Sequence, residues 1–399
     1  MGKYDFTTIL DRHGKDSLAA DHIPFDNLAV DDGFSVIPMW IADMSFKTAP
    51  CIINAIEDRL RMPNFGYFRE TDEYFNRIIR WHALRKGDSS LTRESIGYEN
   101  GVLGGVSSAI TAFTAPGEKI LLHSPTYVGF TGTLKDLGRP AVHSELIRDG
   151  NGVWRMDFDD MDRKIKQNNI HLAIFCSPHN PCGRVWERWE IEKAMEVYAA
   201  NDCIVISDEI WSDIIMPGYT HIPTQTVSED ARQRTLAFYA PSKTFSIAGF
   251  VGSYHVVYNK YLRDRLSAVS VSTKYNDCNV LSMHALIGAY SDEGNEWTDE
   301  MLSVIDGNCR YACSFIRENF KGVDVMLPQG TYMLYLDCSG WLEEHGITID
   351  ELLARGVRKG VVWQNGESFL LPNTIRMNLA LPFELEKEAF DRLKKYAFI

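Results

Sequence analysis

One lysine stands among small and apolar residues in YAPSKTFSIAG (239–249), and Lys243 is the first side chain of this sequence that could do covalent chemistry. Desolvation lowers the pKa of an ammonium, and an amine so perturbed can serve as a nucleophile toward a carbonyl or as a general base. A single lysine is more often a loop residue whose ammonium reaches water, so the reading turns on its companions. Asp208 ends the apolar run CIVISDEIW (203–211). A carboxylate at the end of a buried strand needs a cationic partner, either an arginine or the protonated nitrogen of a heterocycle. Arg376 lies at the centre of the apolar TIRMNLAL (374–381). Its planar fork suits a carboxylate, from an internal acid or from a substrate.

Three further stretches fall where turns are expected. CSPHNPCGR (176–184) sets Asn180 between His179 and Pro181, a rigid loop presenting an amide donor and acceptor. His179 and Cys182 would suit a metal, but no further ligands lie at suitable spacing. HSPTYVGF (123–130) presents Tyr127 after a proline, for packing or for stacking on a ligand. ENGVLGGVSSAI (99–110) leads three glycines into an apolar run. That suits a tight turn opening a helix, either an ordinary one or one whose unpaired N–H groups favour an anion such as phosphate. Together these residues supply an anion cup, an aromatic face, an amide, a counter-charge for a ring N–H, an amine and a carboxylate clamp. That inventory matches pyridoxal 5′-phosphate held as a Schiff base on lysine, with an aspartate on its pyridinium nitrogen.

The elements that must position these groups alternate. KILLHSPTY, PAVHSELI, HLAIFCSP, CIVISDEI, TLAFYAPS and FVGSYHVVY read as strands. Helical stretches lie between them, such as WERWEIEKAMEVYAAND with Ile191, Ala194, Met195 and Tyr198 on one face. Alternation of this kind implies a mostly parallel sheet with ligands beyond the carboxyl ends of its strands. Upstream, TDEYFNRIIRWHALRKG predicts a helix capped by Thr71 or Asp72 and stopped at Gly87, with Phe75, Ile78, Ile79 and His82 on its apolar face. The last third mixes helices with short strands such as TYMLYLDC. It closes on ELEKEAFDRLKKYAF, where Leu385, Ala389, Phe390 and Leu393 share a face. The texture changes at AYSDEGNEW. The expected organisation is an N-terminal segment 1–45 belonging to a small domain, a large domain 46–288, and the C-terminal small domain 289–399.

Composition narrows the class. The 399 residues are 45% hydrophobic and 24% charged, the ordinary balance of a globular chain. A net charge of −13 without a basic stripe argues against nucleic acid and against anionic membrane surfaces. The start, MGKYDFTTILDRHGKD, has no apolar signal core, Phe6 breaks the myristoylation pattern at Gly2, and no run approaches a membrane span. Eight cysteines without a CxxC pair read as reduced thiols in the cytoplasm, with Cys309 and Cys313 as core packing. No HExxH, Walker A or GxGxxG motif occurs, and no repeat of fixed period.

The order NGV, SPTY, SPHNPCGR, SDE, APSKTF, IRMNLA resembles the class I/II aminotransferase superfamily of fold-type I pyridoxal-phosphate enzymes. WIADMSFKTAP, GYFRETDEY, FCSPHNPCGRVW, IIMPGY and YAPSKTFSIAGF are similar to a narrower branch. That branch is the MalY/PatB-like cystathionine β-lyases, which include the cysteine desulfhydrase cystalysin. The likeness spans essentially the whole chain. It implies an α/β fold, with a large domain built on a mostly parallel seven-stranded sheet and a smaller α+β domain. It implies that Lys243 holds pyridoxal 5′-phosphate, that Asp208 pairs with the pyridine nitrogen, and that Tyr127 stacks on the ring; these three would be the catalytic residues. Asn180 would bond the ring oxygen, and backbone N–H groups near Val102 and Leu103, with Ser242, would hold the phosphate. Arg376 would grip the α-carboxylate of an amino-acid substrate, with Asn180 and Tyr67 completing the pocket. Tyr67 would come from the neighbouring subunit, which implies a homodimer with the active site at the subunit interface.

The implied activity is carbon–sulfur β-elimination, releasing a thiol, pyruvate and ammonia. An aminotransferase would use the same residues, and a regulatory protein-binding role could accompany either. Three positions depart from the family pattern. Ala240 stands where aminotransferases have a phosphate-binding serine, and Val251 where they have an arginine. Trp211 stands where the branch usually has histidine and aminotransferases often have tyrosine. The phosphate cup should therefore depend more on backbone amides, Ser242 and Tyr67. An indole, which donates but does not accept, puts a ring-oxygen contact at Trp211 in doubt.

Overall fold

Seven five-residue strands carry the middle of the chain: β1 (Ile96–Asn100), β2 (Ile120–Ser124), β3 (Ala141–Glu145), β4 (Leu172–Cys176), β5 (Ile204–Asp208), β6 (Thr235–Tyr239) and β7 (Gly252–Val256). In the computed structural model, which describes residues 2–274 and 276–399, they form one sheet in the order β1-β7-β6-β5-β4-β2-β3. Only β7 runs against its neighbours. Every residue of β2, β4 and β6 is buried, as a sheet covered on both faces requires. Register sets where the strands end. Cys176 lies opposite Asp208, and Asp208 opposite Phe238, so the segments that follow β4, β5 and β6 leave from one edge.

The helices carry the signals that the sequence predicts, with three corrections. Helix α1 (Asp72–Arg85) is capped by Thr71, whose side chain accepts from the Tyr74 N–H, and ends before Gly87 at φ +65°. Its buried stripe is Tyr74, Ile78, Trp81 and His82, whereas Phe75 and Ile79 are only half-buried. The helix is turned toward its larger aromatic surface, with Trp81 stacked on Tyr290 at 4.4 Å. Helix α2 (Val102–Phe113) starts at Gly101, whose φ of +79° suits glycine. Gly104 and Gly105 are not part of that turn but lie inside the helix. A Cβ on Gly105 would stand 2.4 Å from Phe238 Cε1, so this glycine lets α2 close onto the sheet. Val102, Val106, Ala109 and Ile110 share a core with Ile174, Ile206 and Phe238. Helix α3 (Val128–Asp136) follows β2, and helix α4 (Arg188–Ala200) buries Ile191, Ala194, Met195 and Tyr198 as their spacing predicts.

The chain divides into two compact units. The central unit, residues 48–180 and 184–298, contains the seven-stranded sheet. The terminal unit takes the chain up to Lys47, residues 181–183, and 299–399. It has its own antiparallel sheet of β8 (Asp324–Val325), β9 (Met333–Asp337), β10 (Gln364–Asn365) and β11 (Thr374–Asn378), ordered β8-β9-β11-β10. In the closing helix α5 (Phe383–Tyr396), Ala389, Phe390 and Leu393 are buried as expected. Leu385 is only half-buried and Glu386 takes the inner place. Burial raises the Glu386 carboxyl to about 9, so it sits in this core as the neutral acid.

Gly105→Ala tests the seating of α2. Phe238 is fully buried and would stand 2.4 Å from the new Cβ, so overpacking should lower stability by about 1–3 kcal/mol. Chemical denaturation of the variant against the parent measures it, with the midpoint expected to fall.

Candidate active site

Lys243 follows β6 in a segment that turns back on itself, with the Phe245 N–H donating to Pro241 O and the Ile247 N–H to Ser242 O. Within SKTF the pairs divide: Ser242 and Lys243 are half-buried, and Thr244 and Phe245 are fully buried. The Lys243 ammonium lies 5.9 Å from the centre of the buried Trp211 ring, within cation–π range.

Asp208 and Glu209 are adjacent acids with opposite treatment. Glu209 accepts from Ser207 Oγ, the Thr224 N–H, His221 Nε2 and Tyr239 Oη, all at 3.0 Å or less. Burial opposes its charge, but His221 and these donors outweigh it and hold the carboxyl below the ordinary range. Asp208 is 4% exposed and accepts from the Ile210 N–H at 3.0 Å. Burial pushes its carboxyl up to about 7, the Glu209 charge adds to the rise, and the Lys243 charge opposes it. A carboxylate in this position would be ionised fully by a further cation.

The other candidates line the same edge of the sheet. Tyr127 caps α3, half-buried, with Phe130 edge-on at 5.3 Å. A Cβ on Gly129 would lie 2.4 Å from Tyr127 Cε1 and 2.9 Å from Leu103 Cδ1, so Tyr127 meets the first turn of α2 over that glycine. Gly101 provides no side-chain cap, and the first intrahelical bond runs from the Gly105 N–H to Gly101 O. The N–H groups of Val102 and Leu103 therefore precede the helical ladder. Two of the three departures from the family pattern are near it: Val251, in a left-handed conformation, stands 3.7 Å from a Cβ built on Gly101, and Ala240 shares the core cluster of Val102. Asn180 is buried in the loop after β4. His179 steadies that loop, its N–H on Arg184 O and its Nε2 at 2.8 Å from Pro125 O. Burial lowers the His179 imidazole to about 4, so it stays neutral. Among the described residues no cluster of His, Cys, Asp and Glu could hold a metal ion.

Two candidates belong to other parts of the chain. Arg376, in the terminal unit, is buried at the centre of β11, where it donates to Trp40 O and Gln364 Oε1 and lies 4.5 Å from the Phe369 ring centre. Tyr67 is fully exposed on a segment that also exposes Phe65 and Phe68. Sequence reasoning missed Glu209 and the buried pair Lys86–Asp213, because their partners come from remote parts of the chain.

The model of the aminotransferase class I and II family matches residues 35–393. The chain belongs to this family. Cystathionine beta-lyase PatB of Bacillus subtilis is 32% identical over 82% of each chain. Cystalysin from Treponema denticola, whose structure contains a pyridoxal 5′-phosphate cofactor, superposes with a TM-score of 0.91 at 30% identity, covering 98% of both chains. The PLP-bound C-S lyase of Staphylococcus hominis superposes with a TM-score of 0.90 at 29% identity, over 99% of this chain and 98% of that one.

Asp208 should cost the fold stability when nothing is bound. Its folded pKa is raised from 3.8 to about 7, so the carboxyl is harmless below its unfolded value and erodes stability as pH climbs toward 7. In ligand-free protein, Asp208→Asn should raise stability at pH 8 by on the order of 3 kcal/mol and leave it little changed near pH 4. Thermal melts of both proteins across that range check the expectation.

Proposed function

We propose that this protein binds pyridoxal 5′-phosphate at the carboxyl edge of its central sheet and acts as a carbon–sulfur β-lyase, converting a sulfur-containing amino acid into a thiol, pyruvate and ammonia. The observation that carries the reading is Asp208, a buried carboxyl pushed up to about 7 at the edge that also bears Lys243. A protonated pyridine nitrogen is the kind of cation such a group demands. The start of α2 fits the phosphate, since it offers backbone N–H groups and the positive end of a helix with no side-chain cap. Similarity to PatB and to the two structural relatives favours elimination over amino transfer.

When bound, the cofactor supplies an electron sink for charge developing at the α-carbon of an attached amino acid. The residues do the rest. Lys243 would be the attachment point, and its Nζ would be the base positioned for the α-proton. Asp208 would keep the ring nitrogen protonated, Tyr127 would stack on the ring, and Asn180 would donate to the ring oxygen. Val102, Leu103 and Ser242 hold the phosphate, and Arg376 receives the α-carboxylate. As the α-proton leaves, its electron pair forms the α–β double bond and the β-thiolate departs. The three-carbon remainder takes up water and breaks down to pyruvate and ammonia.

We place the exposed Tyr67 in the site of a second copy, which makes the working form a homodimer. All eight cysteines carry free thiols, which supports a reducing compartment, the cytoplasm. Among the described residues no helix is long and apolar enough to cross a membrane.

Incubating the purified protein with cystathionine and with cysteine should release pyruvate and free thiol together. Borohydride should fix the cofactor on the peptide bearing APSKTF. Keto-acid-dependent amino transfer without thiol release would replace the lyase with an aminotransferase, and label on another lysine would remove Lys243 from the mechanism. Arg376→Ala should lower kcat/KM for every amino-acid substrate alike, by about 2–5 kcal/mol of transition-state stabilisation. A loss confined to one substrate would move Arg376 to a side-chain pocket.

A further inference from the structure

The two residues after Lys243 are rooted in the interior of the central unit. Phe245 packs on Trp81 at 6.0 Å and on Trp297 at 5.4 Å between ring centres. Thr244 has no solvent exposure, and its Oγ1 donates to Asp213 Oδ2 at 3.2 Å. Asp213 lies just beyond the end of β5 and is itself buried. Its other oxygen accepts from Lys86 Nζ and, at 3.0 Å, from Trp81 Nε1. Lys86 follows the last turn of α1, where the helix macrodipole favours a cation. Its side chain is fully enclosed, with the ammonium 5.7 Å from the Tyr239 ring centre.

A buried ion pair of this kind is weak evidence for stability, because apolar residues of similar volume often fold as well or better. The division of labour between the two oxygens says more. Oδ1 is taken up by Trp81 of α1 and by Lys86 at its C-cap, and Oδ2 accepts from the residue next to Lys243. Trp81 serves both ends, since it donates to Asp213 and packs against Phe245. Burial pushes the Asp213 carboxyl up, but the Lys86 and Arg85 charges outweigh that and hold it below the ordinary range. The acceptor facing Thr244 therefore stays ionised.

We propose that Asp213, locked by Lys86 and Trp81, is a positioning residue that fixes Lys243 through the Thr244 hydroxyl, so that the amine moves only by its own side-chain torsions. The proposal rests on the reading of Lys243 as the cofactor attachment point. A backbone pinned immediately beyond the lysine leaves Nζ a small set of places to be. Both steps assigned to that atom, bond formation with the cofactor and removal of the α-proton, depend on that restriction. Displacement of a reacting atom by about 1 Å can cost two orders of magnitude in rate.

The test uses the full-length protein with and without pyridoxal 5′-phosphate. Thr244→Val keeps the buried shape and removes only the donor. Its attachment of added cofactor to Lys243, followed by visible absorbance, should slow by about tenfold or more. Its kcat should fall by a similar factor with KM within about twofold, and the isotope effect with α-deuterated substrate should rise because proton removal has become slower. Thr244→Ser, which retains the hydroxyl, should restore all three. Asp213→Asn, a second variant without the charge facing Lys86, should show the same slow attachment. Normal attachment rates and an unchanged isotope effect in Thr244→Val, whatever its melting temperature, would reduce the Asp213 cluster to a structural anchor and overturn the proposal. If the parent protein itself forms no bond at Lys243, the assignment of the site fails, and the positioning role fails with it.

Discussion

A carboxyl that cannot reach water is the constraint around which the central unit is arranged. Asp208 is the last residue of β5, and the ladder continues on both sides of it. The Ser177 N–H donates to Asp208 O, and the Glu209 N–H donates to Phe238 O. With neighbouring strands paired past that point, the side chain has no route outward, and its charge must be met locally or suppressed. Among the described residues no arginine pairs with it. What it faces instead is Lys243, on a segment anchored by the residues that follow the lysine. The carboxyl is thus left close to its own midpoint near neutrality, a state suited to receiving a cation and ill suited to mere structure. On the proposed reading, stability is given up at this position for binding, the usual direction of such trades.

The neighbouring acids show that the fold can satisfy a buried carboxylate when nothing else is asked of it. Glu209 takes four donors from three segments, among them His221 and Tyr239. Asp213 takes Trp81 from α1 and Lys86 from the cap that follows it. His82, on the same helix, sits 3.0 Å from Tyr254 Oη, and burial keeps the imidazole neutral. These groups form a polar interior behind the reactive edge. Such interiors fix one arrangement because any shift leaves a charge or a donor unmet. Asp208 has the Ile210 N–H but no such set of side-chain donors among the described residues, and that difference supports the proposal that it receives a ligand's charge.

Much of this was legible in the chain. The strands are short apolar runs whose last letters are the unusual ones, and alternation with helices implies the parallel sheet and its reactive edge. Lys243, Asp208, Asn180, Tyr127 and Arg376 stand out because each is a polar group where an apolar one is expected. Other features were not legible, for reasons of distance and phase. In SDEIWSD three acids fall within six residues, and nothing local tells which is paired with a histidine, which with a lysine, and which with neither. The partners His221, Tyr239 and Lys86 arrive only through the fold. In α1, Tyr74 and Trp81 flank the stripe of Ile78 and His82, so spacing alone admits two rotations and the larger rings decide. Glu386 on the inner face of α5 reads as solvent-exposed, since a carboxyl is a core residue only when held neutral.

The two substitutions at the start of α2 have a joint consequence for how an anion is held there. Val251 and Ala240 remove a guanidinium and a hydroxyl from the family pattern, and the structure puts Val251 beside Gly101 and Ala240 in the core beneath Val102. What remains is a helix terminus, whose field is equivalent to roughly half a charge and falls off within one turn. Such a cup holds a phosphate by geometry more than by net charge, because each N–H must point at an oxygen. It therefore depends on how firmly α2 is seated, and the seat is Gly105 against Phe238, the residue paired in the ladder with Asp208. The phosphate end and the ring-nitrogen end of the proposed cofactor are in this way referred to a single point of the sheet.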